Sequence, residues 1–470
     1  NDEGILKATA SGSLPNGKAV VVNADGTVSV VSGETQGLGS SAVFESGAAT
    51  NMSTIFDSNS NKVVIAYKDT SNSSYGTAVV GTVSGMTISF GTPVVFNAGD
   101  TDHISITFDS NSNKVVIAYY NNPASAGTAI VGTVSGTNIS FGTAVVFNSA
   151  LSQFTASTFD SNSNKVVISY KDYGNSSYGA AIVGTVSGTN ISFGTAVVFE
   201  SAVTQYTAST FDSNSNKVVI AYQDAGNSGY GTAIVGTVSG TNISFGTAAV
   251  FESAAAYYQT LVFDNNLNKI VVFYRDGGNS NYGTAAVGTV SGTAISFGTP
   301  VVFNQALSDS FGPSFDSNAN KIVLFYRDRG NSNYGTYIIG IVSGTTISFG
   351  AEVVYSTVNT TAGRGSDFDS NLNKVVNAYA ANSVGNGIVF QNASTNLTAE
   401  NFIGMSTGGT YASGSTATVK IIGNTSNEQT SLTAGQSYFV QTDGTIGTTA
   451  ADPSVFAGTA ISATRLIVKT

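Results

Sequence analysis

The 470-residue chain has no cysteine, no tryptophan, one histidine (His103) and only 10% charged residues. Without cysteine there is no disulfide and no thiol or redox chemistry, so stability must come from packing and β ladders. Acidic residues outnumber basic ones 28 to 18, giving a formal charge of -10, and Lys and Arg cluster nowhere. That excludes the basic surface a nucleic acid or an anionic membrane requires. No apolar run approaches the length of a membrane-spanning helix, so no membrane insertion is expected. Asn1-Asp2-Glu3-Gly4 does not open a signal peptide, and the missing initiator Met predicts processing or trimming. The catalytic inventory is equally thin: no G-x-S-x-G, P-loop or metal-ligand cluster accompanies His103, which reads as an ordinary loop residue. A carboxylate pair for glycoside hydrolysis would have to come from Asp100, Asp102, Asp309 or the repeated Asp residues, and nothing sets two of them at a working separation. No catalytic residue, metal or cofactor is expected. Glycine, serine, threonine and asparagine take up the space instead, a balance typical of extracellular or virion-surface β proteins.

What the sequence does contain is a repeat. Phe-Asp-Ser-Asn-Ser-Asn-Lys (Phe56 to Lys62) or a close variant recurs with its Asp at positions 57, 109, 160, 212, 264, 316 and 369, spaced by 52, 51, 52, 52, 52 and 53 residues. In the first copy, strands are predicted at Met52 to Phe56, Lys62 to Lys68, Gly76 to Val83 and Thr87 to Asn97, separated by turn-forming segments. The second is a continuous apolar run, Val63-Val64-Ile65-Ala66-Tyr67, which suits a strand covered on both faces. Four strands per copy predicts an all-β fold, a seven-bladed β-propeller with four-stranded blades. The last copy lacks its fourth strand, and Gly39 to Glu45, which aligns with Gly194 to Glu200, supplies one upstream of the first copy. Ring closure by this N-terminal strand is therefore predicted, in preference to a linear β solenoid with capped ends.

Three segments result: an N-terminal β segment (1–36), the propeller (37–392) and a C-terminal β segment (393–470). The two end segments share a second similarity, Leu14 to Val28 matching Leu432 to Ile446 without a gap, each a hairpin around Asp-Gly. Closure would bring both ends together into one small β attachment domain. Leu432 to Thr445, Pro453 to Ala460 with Leu466 to Lys469, and Gly17 to Val31 resemble terminal modules of virion structural proteins of tailed phages, particularly marine cyanophages. That resemblance covers about a quarter of the chain and implies a virion surface appendage of the tail-fibre or capsid-fibre kind, with other virion proteins as partners at the chain ends. The repeats lack the Ser-x-Asp-x-Gly-x-Thr-Trp box of sialidase propellers.

Function is sought where the copies differ. Asp57, Asn59 and Asn61 space oxygens like the start of a calcium loop, but Lys62 replaces the needed glycine and no acid closes the loop; the carboxamides are expected to cap their own backbone. The segments joining one copy to the next vary fully: Ala98 to Ser105, Ser149 to Ser157, Ser201 to Ser209, Ser253 to Thr260, Gln305 to Ser314 and Ser356 to Ser366. These are predicted to be loops that share a face with the turns between strands two and three. Tyr120, Phe154, Tyr173, Tyr206, Tyr257, Tyr258, Arg275, Arg327 and Arg329 are the candidate ligand-binding residues there, an aromatic and polar set that suits a host-surface glycan. The recurring Asp and Tyr residues have an alternative role, bracing one blade against the next. A purely structural decoration of the particle and, third, a polysaccharide-degrading enzyme are the competing functions, and a homo-oligomer is compatible with all of them.

Overall fold

The computed structural model describes residues 4–468; Asn1–Glu3 and Lys469–Thr470, the extremities of the two end segments, lie outside the described residues. Among the described residues regular structure is β-strand, apart from two 3-10 turns at Tyr173–Asn175 and Ala225–Asn227. The chain divides into two units, Leu38–Gln391 and a second made of Asn1–Gly37 with Asn392–Thr470.

In the first unit each sequence copy is an antiparallel meander. The first strand ends at its motif Asp, and in the first copy the Asp57 carboxylate accepts the N–H groups of Asn59 (2.9 Å) and Ser60 (3.1 Å). Asn61 then takes φ of 52°, the left-handed conformation Asn tolerates, and the chain turns back into Lys62–Asp69. All seven copies repeat this device, Asp369 included. Capping thus falls to the carboxylates rather than the expected carboxamides, and the last Asn of each motif supplies the turn conformation instead.

Val63 to Tyr67 are at most 1% exposed, as a doubly covered strand requires. Their two faces serve different neighbours. Val64 and Ala66 share a core with Val115 and Ile117 of the second copy, while Val63, Ile65 and Tyr67 share one with Val376, Ala378 and Val389 of the seventh. The strand Ala42–Asp57 also pairs with Val384–Gln391, Ala42 opposite Gly387 and Val43 opposite Asn386. Phe44 meets Tyr67 at 5.1 Å and Phe90 at 5.5 Å, the geometry that Phe199 has with Tyr222 (5.2 Å) and Phe245 (5.7 Å). Both phenylalanines lie over a glycine whose missing side chain makes room for the ring: a Cβ on Gly385 would stand 2.6 Å from the Phe44 ring, and one on Gly179 2.4 Å from Phe199.

Two expectations need correction. The fourth strand is broken: Thr87–Phe90 and the stretch beginning at Val94 both pair with Tyr75–Ser84, with Gly91 to Pro93 between them. The variable joining segments are extended strand rather than loop for most of their length. Val94–Asp109 runs unbroken from the outer strand of one copy into the first strand of the next, and only Ser149 to Leu151 and Thr357 to Asn359 interrupt the equivalent path elsewhere. Each such strand carries a bulge where the register shifts, between Asp102 and Ser105 in the second copy.

The second unit holds two five-stranded sheets of one topology. The first is ordered Ile5–Thr9, Thr416–Ile421, Phe402–Thr407, Ala19–Val22, Val28–Val30; the second, Thr425–Ser426, Arg465–Val468, Phe456–Ser462, Ser437–Val440, Ile446–Gly447. Numbered by sequence within its own sheet, each reads one, five, four, two, three. The register agrees too, Val20 facing Gly404 as Tyr438 faces Gly458, each beside a bulge. Asp25 and Asp443 accept the N–H of Thr27 and Thr445 in matching turns. The unit is a duplicated module, and Leu38–Gln391 is inserted between the third and fourth strands of the first copy. Residues of both chain ends share its main core, Ala19, Val21 and Val31 packing with Met405, Tyr438 and Leu466.

Candidate functional site

The bulges build the site. Six residues before the motif Asp, copies one to six place Asn51, His103, Phe154, Tyr206, Tyr258 and Ser310, and all six have φ between 50° and 59°. Aromatic residues seldom accept this left-handed conformation, which costs of order 1–3 kcal/mol and concentrates where function holds it. The side chain at this position changes from copy to copy while the backbone does not. A bulge leaves its extra residue outside the ladder and re-aims its side chain.

These six residues, together with Met52, Ile104, Thr155 and Phe311, line a cavity of about 270 Å³. Along one side runs an aromatic arc contributed by four consecutive copies. Ring centroids are 5.3 Å apart for His103–Phe154, 4.9 Å for Phe154–Tyr206 and 4.8 Å for Tyr206–Tyr258. Asn51 and Ser310 provide an amide and a hydroxyl on the rest of the wall. Burial pushes the Tyr206 phenol above its ordinary range, with Tyr258 adding to the shift, so it stays protonated and able to donate a hydrogen bond. His103, expected to be an ordinary loop residue, packs its ring against Phe154 in the cavity wall.

The structure brings together only part of the predicted set. Phe154, Tyr206 and Tyr258 face the cavity. Tyr257 lies behind them, 6.0 Å from Tyr206, and Arg275 stacks on Tyr257 at 4.7 Å and on Tyr258 at 4.8 Å. Tyr173 is exposed but lies outside the cavity lining; its hydroxyl donates to Gln153 and its ring carries Lys171 at 4.5 Å. Tyr120 is only 7% exposed, so its ring is not presented. Arg327 and Arg329 both ion-pair through Nε with the buried Asp309, at 2.7 and 2.6 Å, and lie outside the cavity lining. The repeated Asp69, Asp172, Asp224, Asp276 and Asp328 likewise accept N–H groups of their own turns. Sequence comparison missed Asn51, His103 and Ser310. Their signal was positional, a fixed offset from the motif Asp with free residue choice.

Further along the same strands a second cavity, about 230 Å³, is lined by all seven copies, mostly with small or hydroxyl side chains such as Ser53, Ser105, Ser157, Ser209 and Ser366. Asp367 is the one carboxylate in its lining. It accepts the N–H groups of Phe56 (2.7 Å) and Phe368 (2.9 Å), linking the last copy to the first, and burial pushes it up to about 6.

No family model and no curated protein matches the sequence. Among solved structures the chain is similar to the BP39L lectin from Burkholderia pseudomallei, with a TM-score of 0.50 at 12% identity over 73% of this chain and 98% of the lectin. It is also similar to the Cps50 (Swd1) beta-propeller domain of Myceliophteria thermophila (TM-score 0.48, 8% identity, 76% and 99%). A third likeness is to the intramolecular trans-sialidase from Ruminococcus gnavus (0.45, 10%, 75% and 97%). At such identities the first of these speaks for the all-β fold alone.

Proposed function

We propose that residues 38–391 form a seven-bladed β-propeller, closed by Ala42 to Glu45 as the outer strand of its last blade, that binds a saccharide in the bulge cavity. The pairing of Ala42–Asp57 with Val384–Gln391 and the Phe44 contacts support the closure. The observation that carries the binding reading is the arc of Phe154, Tyr206 and Tyr258, held in a costly backbone conformation around a cavity that also offers amide and hydroxyl groups. Aromatic faces receive the C–H faces of sugar rings while polar neighbours take their hydroxyls. The lectin among the structural neighbours agrees with this reading. For its setting we propose a phage virion appendage on the particle surface, on the strength of the terminal modules, with the propeller as the presented head and the duplicated module as its anchor.

A glycan array with the full chain tests the binding: wild type binds a defined subset, and Tyr206→Ala lowers affinity for it at least tenfold at unchanged melting temperature. No glycan binding, with the protein stably present on particles by immunolabelling, would favour the structural decoration instead. Release of oligosaccharides from a host polymer would establish the enzyme.

A further inference from the structure

Immediately behind each bulge, a residue of the first strand sits opposite one of the second, and this cross-strand pair differs from copy to copy. Four copies place a cation on the second strand, opposite Thr50, Gln153, Tyr257 and Asp309; two of the four are neutralised by a carboxylate, and Lys171 lies over the Tyr173 ring. Arg327 faces Asp309 and bonds it at 2.7 Å. Lys68 is held by Asp100 at 2.6 Å and Asp102 at 3.0 Å. Arg275 instead faces Tyr257. Its guanidinium lies over the rings of Tyr257 and Tyr258, and its Nε is buried without a hydrogen-bond partner. Among the described residues it forms no ion pair. The neighbouring carboxylates are committed elsewhere: Asp276 to the N–H groups of Gly278 and Asn279, Glu252 to the Tyr274 hydroxyl.

Aromatic faces hold a guanidinium in place but do not cancel its charge or use its planar fork. Arg275 is therefore fixed, desolvated in part and short of an anion, beside the end of the aromatic arc formed by Tyr258. We infer that the saccharide bound in the cavity is acidic, and that Arg275 receives its carboxylate through a charge-assisted, bidentate hydrogen bond. This rests on the saccharide-binding reading and narrows it to a sugar class.

The probes are an oligo-uronic acid and its carboxyl-reduced neutral counterpart, titrated calorimetrically against wild type, Arg275→Gln, Arg275→Lys and Tyr206→Ala, each checked for folding by thermal melting. Wild type is expected to bind the acid at least tenfold tighter than the reduced form. Arg275→Gln should erase that preference by weakening the acid about tenfold while leaving the neutral probe unchanged, and Arg275→Lys should retain part of it. Equal wild-type affinity for the two probes, or undiminished acid binding by Arg275→Gln, overturns the inference. So does a folded Arg275→Gln that loses both probes alike, because the effect is then on the arc and not on charge. A wild type that binds neutral glycans but not the acid also overturns it while leaving the saccharide reading intact. Tyr206→Ala with unchanged binding of both probes sinks the saccharide reading itself.

Discussion

Two positions on a single strand, its terminal Asp and the bulge six residues before it, behave as opposites. At the first the Phe-Asp pair hardly varies, its Asp accepting two backbone N–H groups in every copy. At the other, the left-handed bulge residue is Asn, His, Phe, Tyr, Tyr or Ser with φ held within 50° to 59°. The constant position closes a turn that every repeat needs, so selection for the fold acts on it identically seven times. The variable position is shaped by backbone pairing alone, which leaves its side chain available for binding. Constancy marks the scaffold here, and a fixed conformation carrying free residue choice marks the site.

The largest expected effect comes from attacking the scaffold where Ala42–Asp57 pairs with Val384–Gln391. Phe44→Ala should cost about 3–5 kcal/mol, as Phe199→Ala should, because both rings fill equivalent places between consecutive repeats. Chemical denaturation of the two variants checks this; a negligible loss for Phe44→Ala would break the equivalence and with it the proposed ring closure.

Next comes Asp367. Its folded value of about 6 lies above the ordinary 3.8, so the fold favours the protonated form. Its contribution to stability is complete below about pH 4 and is lost as pH rises through about 6, a change of up to roughly 3 kcal/mol. Asp367→Asn keeps one acceptor and removes the titration. Relative to wild type it should therefore gain stability between pH 4 and pH 7.5, measured as the difference in melting temperature across that range. A difference that does not vary with pH would remove Asp367 from this role.

The smallest effect on stability is expected at the bulge. Tyr258→Gly relieves a left-handed tyrosine while losing ring contacts at 4.8 Å, two terms of about 1 kcal/mol each and opposite sign. Its melting temperature should stay close to that of wild type while glycan binding is lost. A large loss of stability would place the bulge residues in the scaffold and erase the contrast between the two positions on the strand.

The repeat, its antiparallel meander and the doubly covered second strand were legible because each is a local pattern, seen seven times, whereas the break in the fourth strand was not. The match of Leu14 to Val28 with Leu432 to Ile446 exposed one hairpin of the duplicated module. The rest of that duplication stayed hidden because strands four and five share little beyond Phe402 and Gly404 with Phe456 and Gly458, and because the first copy is interrupted by 354 residues. Nor could the sequence separate Arg275 from Arg327. The two occupy the same place in the repeat, and what divides them is the residue on the opposite strand, Tyr257 or Asp309.

By itself the sequence determined the second and third strands, the turns after each motif Asp and the number of copies, since these depend on propensities and contacts within about fifty residues. Tertiary structure alone decided which variable residues converge. A bulge reverses where a side chain points without any signature of its own, and residues 52 positions apart become neighbours only when successive meanders stack. Through that stacking, six side chains of five kinds come to line one cavity.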